Sequence, residues 1–333
     1  MTDTQAQTHL HVRGRSRSKT LLGYLSKYGT LMAMGIMVVF FSIAVPDGAF
    51  LNIDNIINIV DQSALTAIIA AGITIVLVVG EFDLSVGYVA SLAGVLVTGL
   101  MSRNHFGVAL AIAITVAVGA GIGFINGVVV TKARVNAVVA TLGIGTMVVG
   151  LSFGYTAGSP IIEVPDAFIN LTLGKTLGLP NSIWFMALVL LVLWVTLNRT
   201  PLGQRMQAVG GNLNAARLAG IRTDRTKIAA FMIAGLTAAL TGILLSSLLG
   251  SGTVSAADSY LMDSFAAVFL GSATLRDGEF HIVGTLIGVL IVNVGFNGLS
   301  QMGTPVFWQF IFKGGILVMA VALSTIARRY AKA

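Results

Sequence analysis

Long apolar runs, separated by short charged or glycine-bearing breaks, organise the whole chain. Uncharged stretches Tyr28 to Pro46, Gln62 to Gly80 and Leu84 to Ser102 are 19 residues each, Asn104 to Thr131 and Val135 to Ile162 are 28 each, Thr176 to Asn198 is 23, and Ile228 to Ala257 is 30. A helix needs about 20 mainly apolar residues to cross a bilayer core of about 30 Å, so each stretch is long enough to span. The last run, Phe280 to Ala327, holds only His281 and Lys313 as ionisable residues and is too long for one crossing. Turn residues in Leu299-Ser-Gln-Met-Gly-Thr-Pro305 divide it. The pattern predicts nine full spans and, at Ser264 to Leu275, a shorter tenth.

Charge decides between nine and ten. With ten spans the inside segments are 1–27, 81–83, 131–135, 199–227, 276–281 and 328–333, which together carry 17 Lys and Arg, against only Arg103 and Lys175 outside. That asymmetry is what the positive-inside rule requires, whereas nine spans would expose Arg328, Arg329 and Lys332 on the wrong side. The expected fold class is therefore all-α, a polytopic membrane protein of about ten helices, some short or broken, with both termini cytoplasmic. Residues 1–27 read as a disordered basic cytoplasmic arm, 28–327 as a single transmembrane domain with a cytoplasmic loop at 199–227, and 328–333 as a cytoplasmic tail.

Composition agrees. Hydrophobic residues make up 56% and charged residues 10%, where a soluble domain carries about 25% charged. The 39 glycines against 6 prolines suit closely packed transmembrane helices rather than collagen or disorder. The net charge of +7 is accounted for by the inside loops, so no nucleic acid is expected as a partner. Zero cysteine excludes disulfides, thiol catalysis and thiolate metal sites, and four histidines, two of them in the arm, leave no metal site expected. Gly174-Lys175-Thr176 ends like a phosphate-binding loop, but Ile169 stands where that motif needs glycine, so no ATP site is expected on this chain.

Three features depart from plain spans and connectors. In the 199–227 loop, Asn212-Leu-Asn-Ala-Ala-Arg-Leu-Ala-Gly-Ile221 has Leu213, Ala216 and Ala219 or Gly220 at helical spacing, with Asn212 able to cap the start and Gly220 to end it. A two-turn helix of this kind suits either a groove on a partner or a connector held by an interface. Gly80-Glu-Phe-Asp-Leu-Ser-Val-Gly87 predicts a helix break whose carboxylates are hydrated or face a cavity, or else a loop in which Asp83 caps the next helix through the Ser85 or Val86 amide. Gly-Glu-Phe recurs at 278–280, without the half-protein spacing of an internal repeat. Lys313 falls near mid-span, where a charge needs a structural partner or a cavity. Asn126, Asn136, Thr141, Asn293, Asn297 and Gln309 are neutral polar groups in or at the ends of spans, suited to bonding neighbouring helices or lining a path for a neutral hydroxylated solute.

These residues carry a family resemblance. Val209-Gly-Gly-Asn-Leu-Asn-Ala-Ala-Arg-Leu-Ala-Gly-Ile221 resembles the cytoplasmic coupling loop of permease subunits of bacterial ABC sugar importers of the ribose, xylose and autoinducer-2 type, which are related more distantly to branched-chain amino acid permeases. Gly80 to Gly87 resembles the family's Gly-Gly-Ile-Asp-Leu-Ser-Val-Gly, departing at Glu81 and Phe82. Lys132-Ala-Arg-Val-Asn-Ala-Val-Val-Ala-Thr-Leu-Gly143 resembles the opening of the fifth helix, and Asp263 to Gly271 with Gly284, Thr285 and Gly288 resembles the region of helices eight and nine. There the family's glycine-rich segment is altered to Thr274-Leu-Arg-Asp-Gly-Glu-Phe280.

The resemblance implies a non-enzymatic permease subunit of an ATP-driven importer for a monosaccharide or similar neutral polyhydroxylated solute, multi-pass in the bacterial inner membrane. ATP and Mg would lie on a partner ATPase, alongside a second permease copy or paralogue, an external sugar-binding protein and membrane lipid. Candidate coupling residues are Gly210, Gly211, Asn212, Asn214, Ala215, Ala216, Arg217, Leu218 and Gly220. Candidates for helix break, gate or path are Glu81, Asp83, Ser85, Gly87, Asn136, Thr141, Asn293, Asn297 and Lys313. The alternatives are an ABC permease for branched-chain amino acids or nucleosides and, in another class, an ion-coupled secondary transporter using Glu81 and Asp83.

Overall fold

The computed structural model describes residues 30–272 and 278–331. The expected arm at 1–27 lies outside the described residues, as do the last two residues of the expected tail and the end of the expected short span. The described residues are predominantly helical. Helix α1 (Thr30–Ala44) leads through a 3₁₀ turn to α2 (Ile53–Val78), α3 (Val86–Ser102), α4 (Val108–Thr131) and α5 (Ala137–Thr156). A short α6 (Asp166–Leu173) and a two-residue antiparallel hairpin, β1 (Lys175–Thr176) with β2 (Leu179–Pro180), precede α7 (Asn181–Arg199). Then come α8 (Pro201–Gly211), α9 (Leu213–Leu218), α10 (Thr223–Leu249), α11 (Asp258–Ser272), α12 (Ile282–Gln301) and α13 (Val306–Ala331).

Among the described residues, α2, α4, α5, α7, α10 and α12 are long and apolar enough to cross a membrane, while α1, α3 and the first part of α13 are shorter apolar helices. Several boundaries differ from the apolar runs for local reasons. The run ending at Ile162 stops being helical at Thr156, because Ala157 and Gly158 turn left-handed and Ile161 pairs instead with Gly252. The run beginning at Thr176 turns helical only at Asn181, after the hairpin. The short run at 264–275 belongs to a helix that begins six residues earlier, at Asp258, and carries Asp263 inside it.

Helices α2 and α10 form the centre. Every residue of α2 from Ser63 to Leu77 is buried, and α10 packs against α2, α3 and α4. Glycine makes that approach possible: a methyl at Gly235 would lie 2.2 Å from the Gly119 carbonyl oxygen, and one at Gly242 only 1.9 Å from that of Ala90. Apolar helices gain no hydrophobic free energy by leaving apolar lipid, so dispersion from such close backbone contact, with interhelical hydrogen bonds, must hold them. The buried bond between Thr74 Oγ1 and Thr285 Oγ1, 2.6 Å, is one, joining α2 to α12. The outer helices turn large apolar groups outward, among them Phe124, Ile125, Val139, Met147, Leu151, Leu188 and Leu191. A soluble surface does not tolerate a contiguous patch on that scale.

Between α10 and α11 the chain passes alongside α3 as non-helical backbone, a single bridge residue at Gly252 followed by turns over residues 254–257. Gly252 lies against Gly94 and Thr98, the Ala257 amide donates to Ser91 Oγ at 3.0 Å, and Gly87 sits beneath Leu261 and the carbonyls of Ala257 and Asp258. Helix α11 therefore starts beside the first turn of α3. This is non-helical backbone covered by protein, the setting in which a membrane protein tolerates it.

Candidate coupling segment and helix break

Helix α8 starts at Thr200, whose Oγ1 accepts from the Gly203 amide, with Pro201 in the first turn. Asn212 then interrupts the helical path with extended backbone, and its Oδ1 accepts from the Asn214 and Ala215 amides at 3.1 and 3.0 Å, starting α9. The end is a glycine turn: Gly220, at φ +79°, donates to Arg217 O, and Ile221 donates to Ala216 O. Both ends of this six-residue helix are thus set by the side chain and the backbone freedom that the sequence displays.

Its faces divide the candidate residues. Ala216 is buried against the chain's own core with Leu213 beside it, while Asn214, Ala215, Arg217 and Leu218 face outward, Leu218 at 91% exposure. Gly211 has open space around it, whereas a methyl on Gly210 would lie 1.7 Å from the Val78 carbonyl oxygen. Gly210 is the point where α8 touches the end of α2.

Helix α2 ends there with its own glycine turn. Gly80, at φ +82°, donates to Leu77 O, and Glu81 donates to Val76 O. The break at 79–85 is closely bonded. Asp83, 1% exposed, accepts at one oxygen from the Ser85 amide at 2.9 Å and the Ser85 hydroxyl at 2.6 Å. Asn126 Nδ2 of α4 donates to Ser85 Oγ at 2.8 Å, and the Leu84 amide donates to Thr141 Oγ1 of α5 at 3.0 Å. Asp83 thus accepts from Ser85, one of the two amides expected, just ahead of the first turn of α3. Glu81 pairs with Lys227 of α10 at 2.5 Å, the two side chains 18% and 16% exposed.

The two Gly-Glu-Phe segments converge on α11. Phe82 stacks on Phe265, Phe265 on Phe269, and Phe280 meets Phe269 edge-on.

The remaining candidates are held by bonds within the protein. Asn136 caps α5 by accepting from Val138 and Val139. Asn293 donates to Val289 O within α12, and Asn297 exchanges bonds with Asn55. Lys313 pairs with Asp263 and lies 5.4 Å from the Phe296 ring centroid. Sequence reasoning left Lys227, Asp263 and Asn55 without roles. For Asp263 a signal existed, since an acid in one apolar stretch and a lone lysine in another are natural partners.

Beside α9 lies a cleft of about 550 Å³ lined by Lys132, Arg134, Arg217, Arg222, Arg225 and Lys227, with Asp224 as its acidic residue. Asp224 is held by Lys132 at 2.7 Å. The surplus of cations makes this surface complementary to an acidic one. Among the described residues no cluster of three or more His, Cys, Asp or Glu could hold a metal ion.

Residues 55–321 match the family described as branched-chain amino acid transport system / permease component. The ribose import permease protein of Escherichia coli K12 is 36% identical over 302 residues, covering 90% of this chain and 93% of its own. That of Bacillus subtilis 168 is 40% identical over 303 residues with the same coverage, and the xylose transport system permease protein of Escherichia coli K12 is 30% identical over 360 residues, covering 90% and 92%. No solved structure matches. With the family match spanning most of the chain and relatives aligned nearly end to end, this membrane protein belongs to the family of transport-system permease components that includes the ribose and xylose import permeases.

Proposed function

We propose that the chain is the membrane-spanning permease of an ATP-driven importer for a monosaccharide, working in the bacterial inner membrane. The near end-to-end similarity to ribose import permeases carries this reading. Supporting it, the capped α9 presents an exposed face beside a cationic cleft, a surface on which an ATPase with acidic groups can dock. ATP and Mg reside on that ATPase, and this chain itself catalyses no reaction. A second permease copy or paralogue completes the path, and an external sugar-binding protein delivers the solute. The chain crosses ten times with both termini cytoplasmic: α1 to α5, α7, α10, α12 and α13 cross as helices, and the non-helical segment before α11 shares the remaining crossing with it.

Uptake of labelled ribose, xylose and leucine into vesicles carrying the full complex tests the reading. Vanadate should abolish uptake of a sugar and a protonophore should leave it. Uptake of leucine alone, or uptake driven by an ion gradient without ATPase, overturns it. Reporter fusions within 199–227 and after Ala333 should both report cytoplasm; an external C-terminus removes the ten-span topology.

A further inference from the structure

Both flanks of the docking helix are fastened to the same short stretch at the end of α2. On one side, Gly210 brings the α8 backbone directly onto Val78, with no room even for a methyl. On the other, Lys227, one turn into α10, reaches Glu81 at 2.5 Å. Val78 and Glu81 are three residues apart, and Asp83, which anchors the break, follows two residues later. From there the break is bonded onward, through Ser85 to Asn126 of α4 and through Leu84 to Thr141 of α5.

We infer that Glu81 and Lys227 are the positioning pair through which movement of the docking helix reaches the helix break, with Gly210 as its steric counterpart. The inference rests on the importer reading and deepens it. A partly buried ion pair is a stiffer tether than an exposed one, because separating charges that have lost part of their hydration leaves each less well compensated. Two attachments also constrain direction: Gly210 against Val78 transmits a push, and Lys227 on Glu81 transmits a pull. Displacement of α8, α9 and the first turn of α10 then displaces residues 78–81, and the hydrogen bonds of the break pass the displacement to α4 and α5. The solute path need not touch either residue.

The test uses the complete complex in proteoliposomes, with labelled ribose as probe, reading sugar delivered per ATP hydrolysed. Glu81→Gln, outside the cleft, should assemble with the ATPase and hydrolyse ATP, yet lower that ratio about tenfold, within the usual range of coupling between sites; Lys227→Met should lower it alike when read per assembled complex. The exchange Glu81→Lys with Lys227→Glu should restore most of it, which a general packing role would not produce. Single variants with the wild-type ratio, or an exchange that recovers nothing, overturn the inference. Should the single variants fail to assemble, Glu81→Asp keeps the charge but shortens the reach, and an unchanged ratio there is equally decisive against it. A wild-type complex without vanadate-sensitive uptake overturns the importer reading instead, and the inference with it.

Discussion

Asn55 and Asn297 exchange two buried hydrogen bonds: Asn55 Nδ2 donates to Asn297 Oδ1 at 3.0 Å, and Asn297 Nδ2 donates back at 2.9 Å. The pair ties the first turn of α2 to the last turns of α12, and Asn55 also donates to Phe50 O. Asn297→Ala leaves the buried Asn55 amide short of partners, and should lower stability by about 1 kcal/mol. Replacing both by leucine removes the unmet polar groups together and should recover much of the loss. Thermal unfolding in detergent for the two singles and the double measures the coupling directly, and additive losses would show that the pair contributes no mutual stabilisation.

Asp83 shows how a carboxylate can be structural at a helix break. Asn keeps the oxygen that accepts from the Ser85 amide and hydroxyl, so Asp83→Asn should assemble normally, whereas Asp83→Ala strands both donors at a cost of about 1–3 kcal/mol. Transport should then follow stability, with Asn near wild type and Ala well below. Equal loss of uptake in two well-assembled variants would mean that the charge itself serves a gate or path.

On α9, the exposed and buried faces separate docking from folding. Leu218→Glu should weaken association with the ATPase while leaving thermal stability within about 0.5 kcal/mol, the usual range for a surface change. Ala216→Glu drives a charge into the permease's own core and should impair folding first. The neighbouring glycines divide likewise: Gly211→Ala has room, but Gly210→Ala collides with Val78 O. Pull-down with the ATPase and thermal unfolding, measured on all four variants, distinguish the two faces.

How far the sequence alone leads depends on whether the information is local. The caps of α9 were legible because Asn212 and Gly220 act on amides and carbonyls within five residues of themselves. The six long apolar helices α2, α4, α5, α7, α10 and α12 were legible because a bilayer imposes length and composition. The orientation of α9 was not: Ala216 fits a partner's groove as well as its own protein's core, and only tertiary packing chooses. The Glu81 to Lys227 pair joins residues 146 apart, and no pattern of spacing announces it. The start of α11 was hidden because Asp263 looks like a span boundary until Lys313 is known to neutralise it.

That pair gives a sharp test of what a charge inside the membrane domain is for. Lys313 of α13 and Asp263 of α11 are 20% and 14% exposed, and the ammonium also lies over the Phe296 ring, 5.4 Å from its centroid. Removing one partner leaves a poorly hydrated charge, so Lys313→Met and Asp263→Asn should each lower stability by several kcal/mol, near the lower end of the roughly 3–5 kcal/mol typical of fully buried pairs. Removing both, as Lys313→Met with Asp263→Leu, eliminates the desolvation penalty along with the attraction and should sit closer to wild type than either single. A structural pair predicts that transport recovers in the double variant as stability does. If stability returns and ribose uptake does not, the charges act on the solute or on the conformational cycle, and the pair moves from scaffold to path.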